Sequence, residues 1–316
     1  MKRILYKILL LTLPVIALFY ALQYIVNNGL RRSKMQYYAV WNDIYNGATH
    51  ADILITGPSR TWMQISPRIL DSVLPLNSYN IGIDGWYFPM QYARFRVFMQ
   101  HNPKPKYVIQ NVDLLLFLDR KDLFLSEQFL PYLGDTIIRN ITNDYKGKYS
   151  FAEYWFPLFR YNNHINLIKE GVRSYFQVGR QSTNKLYKGY AGIDQPWNNV
   201  YEEVIKHNPN GITRENDPKV VKLFEEYLEY CKQNGIQLIF VFQPILNEEL
   251  ALEKSAGAIT GLIKKYAAEY NIPYLDYSND AICYDRRYFI DHQHLNREGA
   301  ELFSRKLAAD LKPVIR

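Results

Sequence analysis

Ile53-Leu54-Ile55-Thr56-Gly57-Pro58-Ser59-Arg60 is a short apolar run that stops abruptly at a Gly, a Pro and a Ser. An apolar run of this length, bounded by turn residues, reads as a buried strand of a parallel sheet. Ser59 then stands at a strand's carboxyl end, where ligands bind in open α/β sheets. Two readings of that serine compete. Most serines after such a turn cap the following helix, and the tripeptide Gly-x-Ser does not by itself separate a cap from a nucleophile.

Working outward, the strand reading gains support from a repeated rhythm. Strand one covers residues 52–56, and a helix is expected from 59 to about 74. Strand two covers 78–81 and is followed by a helix carrying Met90, Phe95, Phe98 and Met99. Strand three covers 106–112. A well-signposted helix follows much later, with Asp217 as N-cap, Pro218 at its first position and Gly235 as its stop. Its apolar face is Val220, Phe224, Tyr227, Leu228 and Cys231. It feeds strand four at 236–242; a long helix over 247–270 leads to strand five at 273–276, and the last helix covers 296–311. Five strands alternating with helices predict an α/β fold: a three-layer αβα, doubly wound, five-stranded parallel sheet of flavodoxin-like type.

Between strands three and four lies a stretch, 113–216, without that rhythm, and unstructured loops of such length are uncommon. It is aromatic and basic, with Tyr154-Trp155-Phe156, Phe159-Arg160-Tyr161, Tyr175-Phe176, Lys185 to Tyr190, and Trp197. A largely helical insertion at 114–216 is expected, either packing its own core or forming a lid or docking surface at the sheet's carboxyl edge.

Residues 4–26 are apolar apart from Lys7, Thr12 and Gln23, and they follow Lys2 and Arg3. About 20 such residues cross a bilayer. The run is longer than the apolar core of a cleaved signal peptide, and no small-x-small cleavage site follows it cleanly. Residues 1–34 are therefore expected to be an uncleaved signal anchor with its juxtamembrane segment, and 35–316 the sheet-bearing domain. Basic residues flank both ends of the run (Lys2, Arg3 and Lys7; Arg31, Arg32 and Lys34), so charge alone does not orient it. The default for so early a segment is a single pass of the cytoplasmic (inner) membrane with the bulk of the chain outside. The net charge of +7 is scattered, with a cluster beside this segment, which fits lipid headgroups and not nucleic acid. The 27 Tyr, 16 Phe and 5 Trp are mostly ordinary core material, though rings at that density also suit sugars, membrane or a partner. Cys231 and Cys283 make neither a disulfide framework nor a zinc set.

Near the C-terminus stands Asp291-His292-Gln293-His294-Leu295-Asn296. A carboxylate three residues before an imidazole, on a loop entering a helix, can orient the ring that takes a proton from a serine. Metal ligation by His292 and His294 competes, but one carboxylate and no second His cluster leave the set incomplete, so no metal and no cofactor are expected. A helix cap by Asp291 or Asn296 is the structural alternative.

Ser59 after strand one, Asn80-Ile81-Gly82-Ile83-Asp84-Gly85 after strand two and Asp291-x-x-His294 before the last helix, in that order, resemble the blocks of the SGNH (GDSL-like) hydrolase superfamily. The resemblance covers residues 50–112 and 217–311. It implies Ser59 as nucleophile, His294 as general base, Asp291 as its orienting carboxylate, and an oxyanion hole from the backbone N–H groups of Ser59 and Gly85. The family's Gly-x-Asn-Asp turn is replaced by Gln110-Asn111-Val112-Asp113, leaving Asn111 as the substitute oxyanion donor, and Pro58 stands where the family has Asp. The chain resembles the membrane-anchored branch that includes the alginate O-acetylation and teichoic acid D-alanylation proteins. That branch implies a bacterial O-acyltransferase or esterase acting on acyl groups, acetyl first, of cell-envelope polysaccharide, beside a multi-pass membrane-bound O-acyltransferase. The alternative is a catalytically silent glycan-binding protein or scaffold for such an acyltransferase.

Overall fold

The computed structural model describes residues 2–179, 182–183 and 186–315. Lys185, named above in the aromatic stretch, lies outside the described residues. Along the chain run α1 (Lys2–Leu30), α2 (Gln36–Tyr45), β1 (Ile53–Thr56), α3 (Ser59–Gln64), α4 (Pro67–Val73), β2 (Ser78–Asn80), α5 (Phe88–His101) and β3 (Tyr107–Asn111). Then come α6 (Thr136–Asn143), α7 (Phe151–Trp155), α8 (Ile165–Phe176), α9 (Val200–His207), α10 (Pro218–Gln233) and β4 (Gln237–Phe242). The chain finishes with α11 (Asn247–Leu252), α12 (Ala256–Glu269), β5 (Tyr274–Asp276) and α13 (Arg297–Leu311). Two compact units divide these elements: a sheet unit of Ile44–Arg120 and Leu186–Arg316, and a helical unit of Met1–Asp43 and Lys121–Lys185.

In the sheet unit all five strands are parallel, in the order β2-β1-β3-β4-β5. Register aligns Ile55 with Ile109, and Ile109 with Ile239. Side chains alternate across a strand, so Ile53, Ile55, Ile109, Ile239 and Val241 face one layer, where Leu70 of α4 and Phe303 and Leu307 of α13 complete the core. Phe240 faces the other layer, its ring 5.8 Å from Phe224 of α10. There Phe88, Tyr227 and Tyr266 pack edge to face or tilted around Phe224, and Phe95 meets Tyr227 edge to face, which accounts for much of the aromatic content as core. This is the doubly wound three-layer α/β architecture that the alternating pattern predicts.

Two expected helices are each broken in two. The helix after Ser59 stops at Gln64 and restarts at Pro67, because proline has no N–H to give and disfavours helical backbone in the residue before it. The helix expected over 247–270 breaks between Leu252 and Ala256. There Lys254 N–H donates to Ile212 O and Ile212 N–H to Leu252 O, so pairing with a distant segment replaces the helical ladder.

The helical unit holds α1, whose Leu10–Leu30 stretch is long and apolar enough to cross a membrane. Its last turns pack on α8, burying Val26 and Leu30 completely. The contact is made close by glycine: a Cβ on Gly29 would lie 1.7 Å from the Gly171 carbonyl oxygen. Behind it Tyr38, Trp41, Phe129, Tyr132 and Tyr161 form a buried aromatic core, with the Trp41 ring 5.9 Å from Phe129 and 6.0 Å from Tyr132.

Candidate active site

β1 ends at Thr56 and the chain turns through Gly57 into α3, whose first residue is Ser59. Gly57 has φ +156°, and a Cβ there would fall 2.0 Å from Thr61 Oγ1 and 2.7 Å from Asn111 Cβ. Only glycine lets the turn lie this close to β3. The N-cap of α3 is Pro58, and Ser59 Oγ lies 2.8 Å from His294 Nε2. The capping reading of the serine is thus displaced by its hydrogen bond to the histidine.

His294 comes from the loop between the short turn at 286–288 and α13. Ile290 N–H donates to His294 O at 2.8 Å, and Phe289 pairs with Leu295, so the loop closes on itself. Inside that closed loop His294 Nδ1 lies 3.0 Å from each carboxylate oxygen of Asp291. Asp291 Oδ1 also accepts from the N–H groups of Gln293 (2.8 Å) and His294 (2.9 Å). Burial raises the Asp291 carboxyl, but the hydrogen bond and charge of His294, with those two N–H groups, outweigh it and hold the pKa below the ordinary aspartate value. An ionised Asp291 accepting from Nδ1–H leaves the Nε2 lone pair facing Ser59 Oγ, the tautomer a general base needs. Asn296 caps α13 through Gly299 N–H, a structural role separate from the pair.

The other predicted residues divide. Gly85 sits in the turn after β2, its carbonyl held by Arg120 Nη1 at 3.0 Å. The turn is tied to α3 by Asn80, whose amide donates to Thr61 O (2.8 Å) and Ile65 O (2.9 Å) and accepts from Gly82 N–H (2.9 Å). Asn111 is fully buried. Its Nδ2 donates to Asp113 Oδ2 at 2.8 Å, and its Oδ1 accepts from Gln243 Nε2 at 2.7 Å. Asp113 also lies 3.4 Å from Arg60 Nη2 and accepts from Leu115 N–H. Asn111 therefore belongs to a buried polar network behind the serine. His292 stacks on Tyr201, and its Nε2 lies 3.9 Å from Glu249 Oε1.

Sequence reasoning missed the carboxylates beside Ser59. A cavity of about 40 Å³ is lined by Ser59, Arg60, Asp113, Ile245, Glu249 and Glu253 among others. Glu253 is buried and paired with Arg214 Nε at 2.8 Å. Glu249 is buried, and among the described residues Gln293 Nε2 alone donates to it, at 3.3 Å; burial pushes its carboxyl up to about 6. Periodicity reads both as helix interior, whereas Glu249 lies in the short α11 and Glu253 in the break that follows it.

No family model matches this chain, and no curated protein matches it. Among solved structures, a Bacteroides fragilis protein described as a candidate acylhydrolase is similar at 14% identity, over 84% of this chain and 88% of that chain, with a TM-score of 0.39.

Proposed function

We propose that the protein is a membrane-anchored serine enzyme of SGNH type that carries an acyl group on Ser59 and transfers it. The observation that carries this reading is the continuous relay from Ser59 Oγ to His294 Nε2 at 2.8 Å and from His294 Nδ1 to Asp291 at 3.0 Å. His294 Nε2 takes the hydroxyl proton as Oγ attacks the acyl carbonyl carbon. The oxyanion that forms is met by the N–H groups of Ser59 and Gly85; one such donor contributes about 2.7 to 4 kcal/mol in comparable sites. His294 then returns the proton to the departing oxygen, leaving acyl-Ser59. An acceptor hydroxyl, deprotonated in turn by His294, attacks the ester and restores the serine.

With α1 across the cytoplasmic membrane and the sheet unit outside, the acceptor is a cell-envelope polysaccharide and the acyl group acetyl. The partner is a multi-pass O-acyltransferase that delivers the acyl group. Water in place of the sugar hydroxyl makes the same enzyme an esterase. Labelling of the full-length protein by a serine-directed fluorophosphonate tests the nucleophile: it is expected in the parent and lost in Ser59→Ala and His294→Ala. Unchanged polymer acylation in cells carrying Ser59→Ala removes the proposal.

The full burial of Asn111, with Nδ2 turned to Asp113 and Oδ1 to Gln243, supports the second reading, a silent scaffold, because it ties this side chain into a structural network. That reading predicts no labelling of the parent protein.

A further inference from the structure

The helical unit exposes a group of large rings. Phe151 is 69% exposed, Trp155 64% and Phe156 56%, and Phe159 lies beside them, nearly half exposed. The rings touch one another: Phe151 stacks with Trp155 at 6.0 Å and meets Phe156 edge to face at 6.3 Å. Contiguous apolar patches of this kind mark a partner or a membrane.

Its mooring says which. Tyr20 Oη donates to Trp155 O at 2.8 Å, Leu158 N–H to Gln23 Oε1 at 2.7 Å, and Tyr161 Oη to Asn27 Oδ1 at 2.6 Å. Tyr20, Gln23 and Asn27 lie three and four residues apart, so they form one stripe along α1. The ring segment is thereby docked against a defined height of that helix. The turns of α1 after Tyr24 are buried against α8, with Val26 and Leu30 fully covered, so the lipid-facing part ends near Tyr24; at 1.5 Å per residue a hydrocarbon core of about 30 Å ending there begins about 20 residues earlier, with Lys7 reaching back to the headgroups. Tyr24 marks the height at which the segment is held. It is also where α1 passes from exposed on all sides to packed on α8, and where Tyr20, Tyr24 and Tyr175 add further rings, the last two 6.5 Å apart. Tyr and Trp favour this boundary between acyl chains and headgroups.

We infer that Phe151, Trp155, Phe156 and Phe159 form a second membrane contact, a half-inserted aromatic shelf that rests in the outer boundary of the bilayer beside α1. The inference depends on the proposed reading of α1 as a membrane span. The shelf holds the helical unit at a fixed height and stops it rotating about the anchor axis.

The test uses full-length protein in pure-lipid vesicles whose acyl chains carry bromine. Both native cysteines are fully buried, so an environment-sensitive thiol probe reports on one introduced cysteine at a time. Phe156→Cys reads the shelf, Leu18→Cys reads α1, and Tyr284→Cys, on the exposed surface of the sheet unit, is the control. Probes at 18 and 156 are expected to lose most of their emission relative to non-brominated lipid, and the probe at 284 none. Trp155→Cys repeats the shelf measurement at a neighbouring ring. Quenching at 18 without quenching at 156 and 155 overturns the shelf while leaving the anchor, and points to a protein as the patch's partner. Absence of quenching at 18 removes the anchor reading, and the inference with it.

Discussion

Asp291 and Glu249 are two carboxyl groups in one neighbourhood, driven in opposite directions. Asp291 accepts from a histidine and two backbone N–H groups and stays ionised, whereas Glu249 is buried beside the weak donor Gln293 and gains a proton near pH 6. The pairing of Asp291 with His294 follows from three-residue spacing and is legible in the sequence. The state of Glu249 is not, because it depends on tertiary burial beside Gln293, which no local pattern encodes. Asp291→Asn keeps the shape but removes the charge that orients and stabilises the imidazole, so fluorophosphonate labelling should slow by about 10⁴-fold. Combining it with His294→Ala should add little, because the relay acts as one unit. For Glu249 the effect is on stability. Its folded pKa is raised from 4.5 to about 6, so the folded chain holds more protons than the unfolded chain between those values. Stability therefore falls as pH rises through that window and stays lower above it, by about 2 kcal/mol for a shift of this size. Glu249→Gln should recover that amount above pH 6 and change little below pH 4.5, read as the denaturation midpoint against pH. Equal midpoints for parent and variant across the range would show that Glu249 is ionised at no cost.

At the scale of elements, the strands were the legible part. Ile53–Thr56, Tyr107–Asn111 and Gln237–Phe242 lie within a residue of where apolar runs bounded by turn residues place them, since a central parallel strand is buried on both faces and its sequence says so. Helix continuity was less legible. Pro67 announces the first break, but the break near Glu253 is made by pairing with Ile212, a contact that no local pattern encodes. The turn after β2 shows what local pattern also hides: Asn80 in the motif looks like a strand end, yet its buried side chain joins that turn to α3 through three hydrogen bonds. Asn80→Ala leaves the carbonyls of Thr61 and Ile65 and the Gly82 N–H without those partners in a buried place. Stability should fall by on the order of 3 kcal/mol, measured by chemical denaturation, given about 1 to 3 kcal/mol for each buried group left unpaired. Ser59 labelling should slow as well, because the same bonds hold α3 against the Gly85 turn. Loss of stability without slower labelling would separate the turn from the chemistry.

For the molecule as a whole, the insertion was legible as helical and aromatic but not as an assembly. Its core is completed by residues from the far end of the chain: α1 and α2 join 121–185 to make one unit. The sequence hides this because α1 is apolar over most of its length, and an apolar helix reads the same whether it faces lipid or α8. What distinguishes its last turns is two glycines, unremarkable in the sequence, that let α1 and α8 touch backbone to backbone at Gly29 and Gly171. A methyl group on Gly171 would lie 2.7 Å from the Val26 carbonyl oxygen and 3.0 Å from Val26 Cγ1, so neither helix can yield by a side-chain rotation alone. Gly171→Ala should therefore push the helices apart at a cost of about 1 to 3 kcal/mol. Amide hydrogen exchange should quicken in residues 22–30 and along α8. Gly134, in the same unit, has no atom within 4 Å of its missing Cβ, so Gly134→Ala provides the matched control and should leave exchange in both helices unchanged. Equal exchange in the two variants would mean that α1 and α8 are held together by their flanking side chains, and that the glycine contact is incidental.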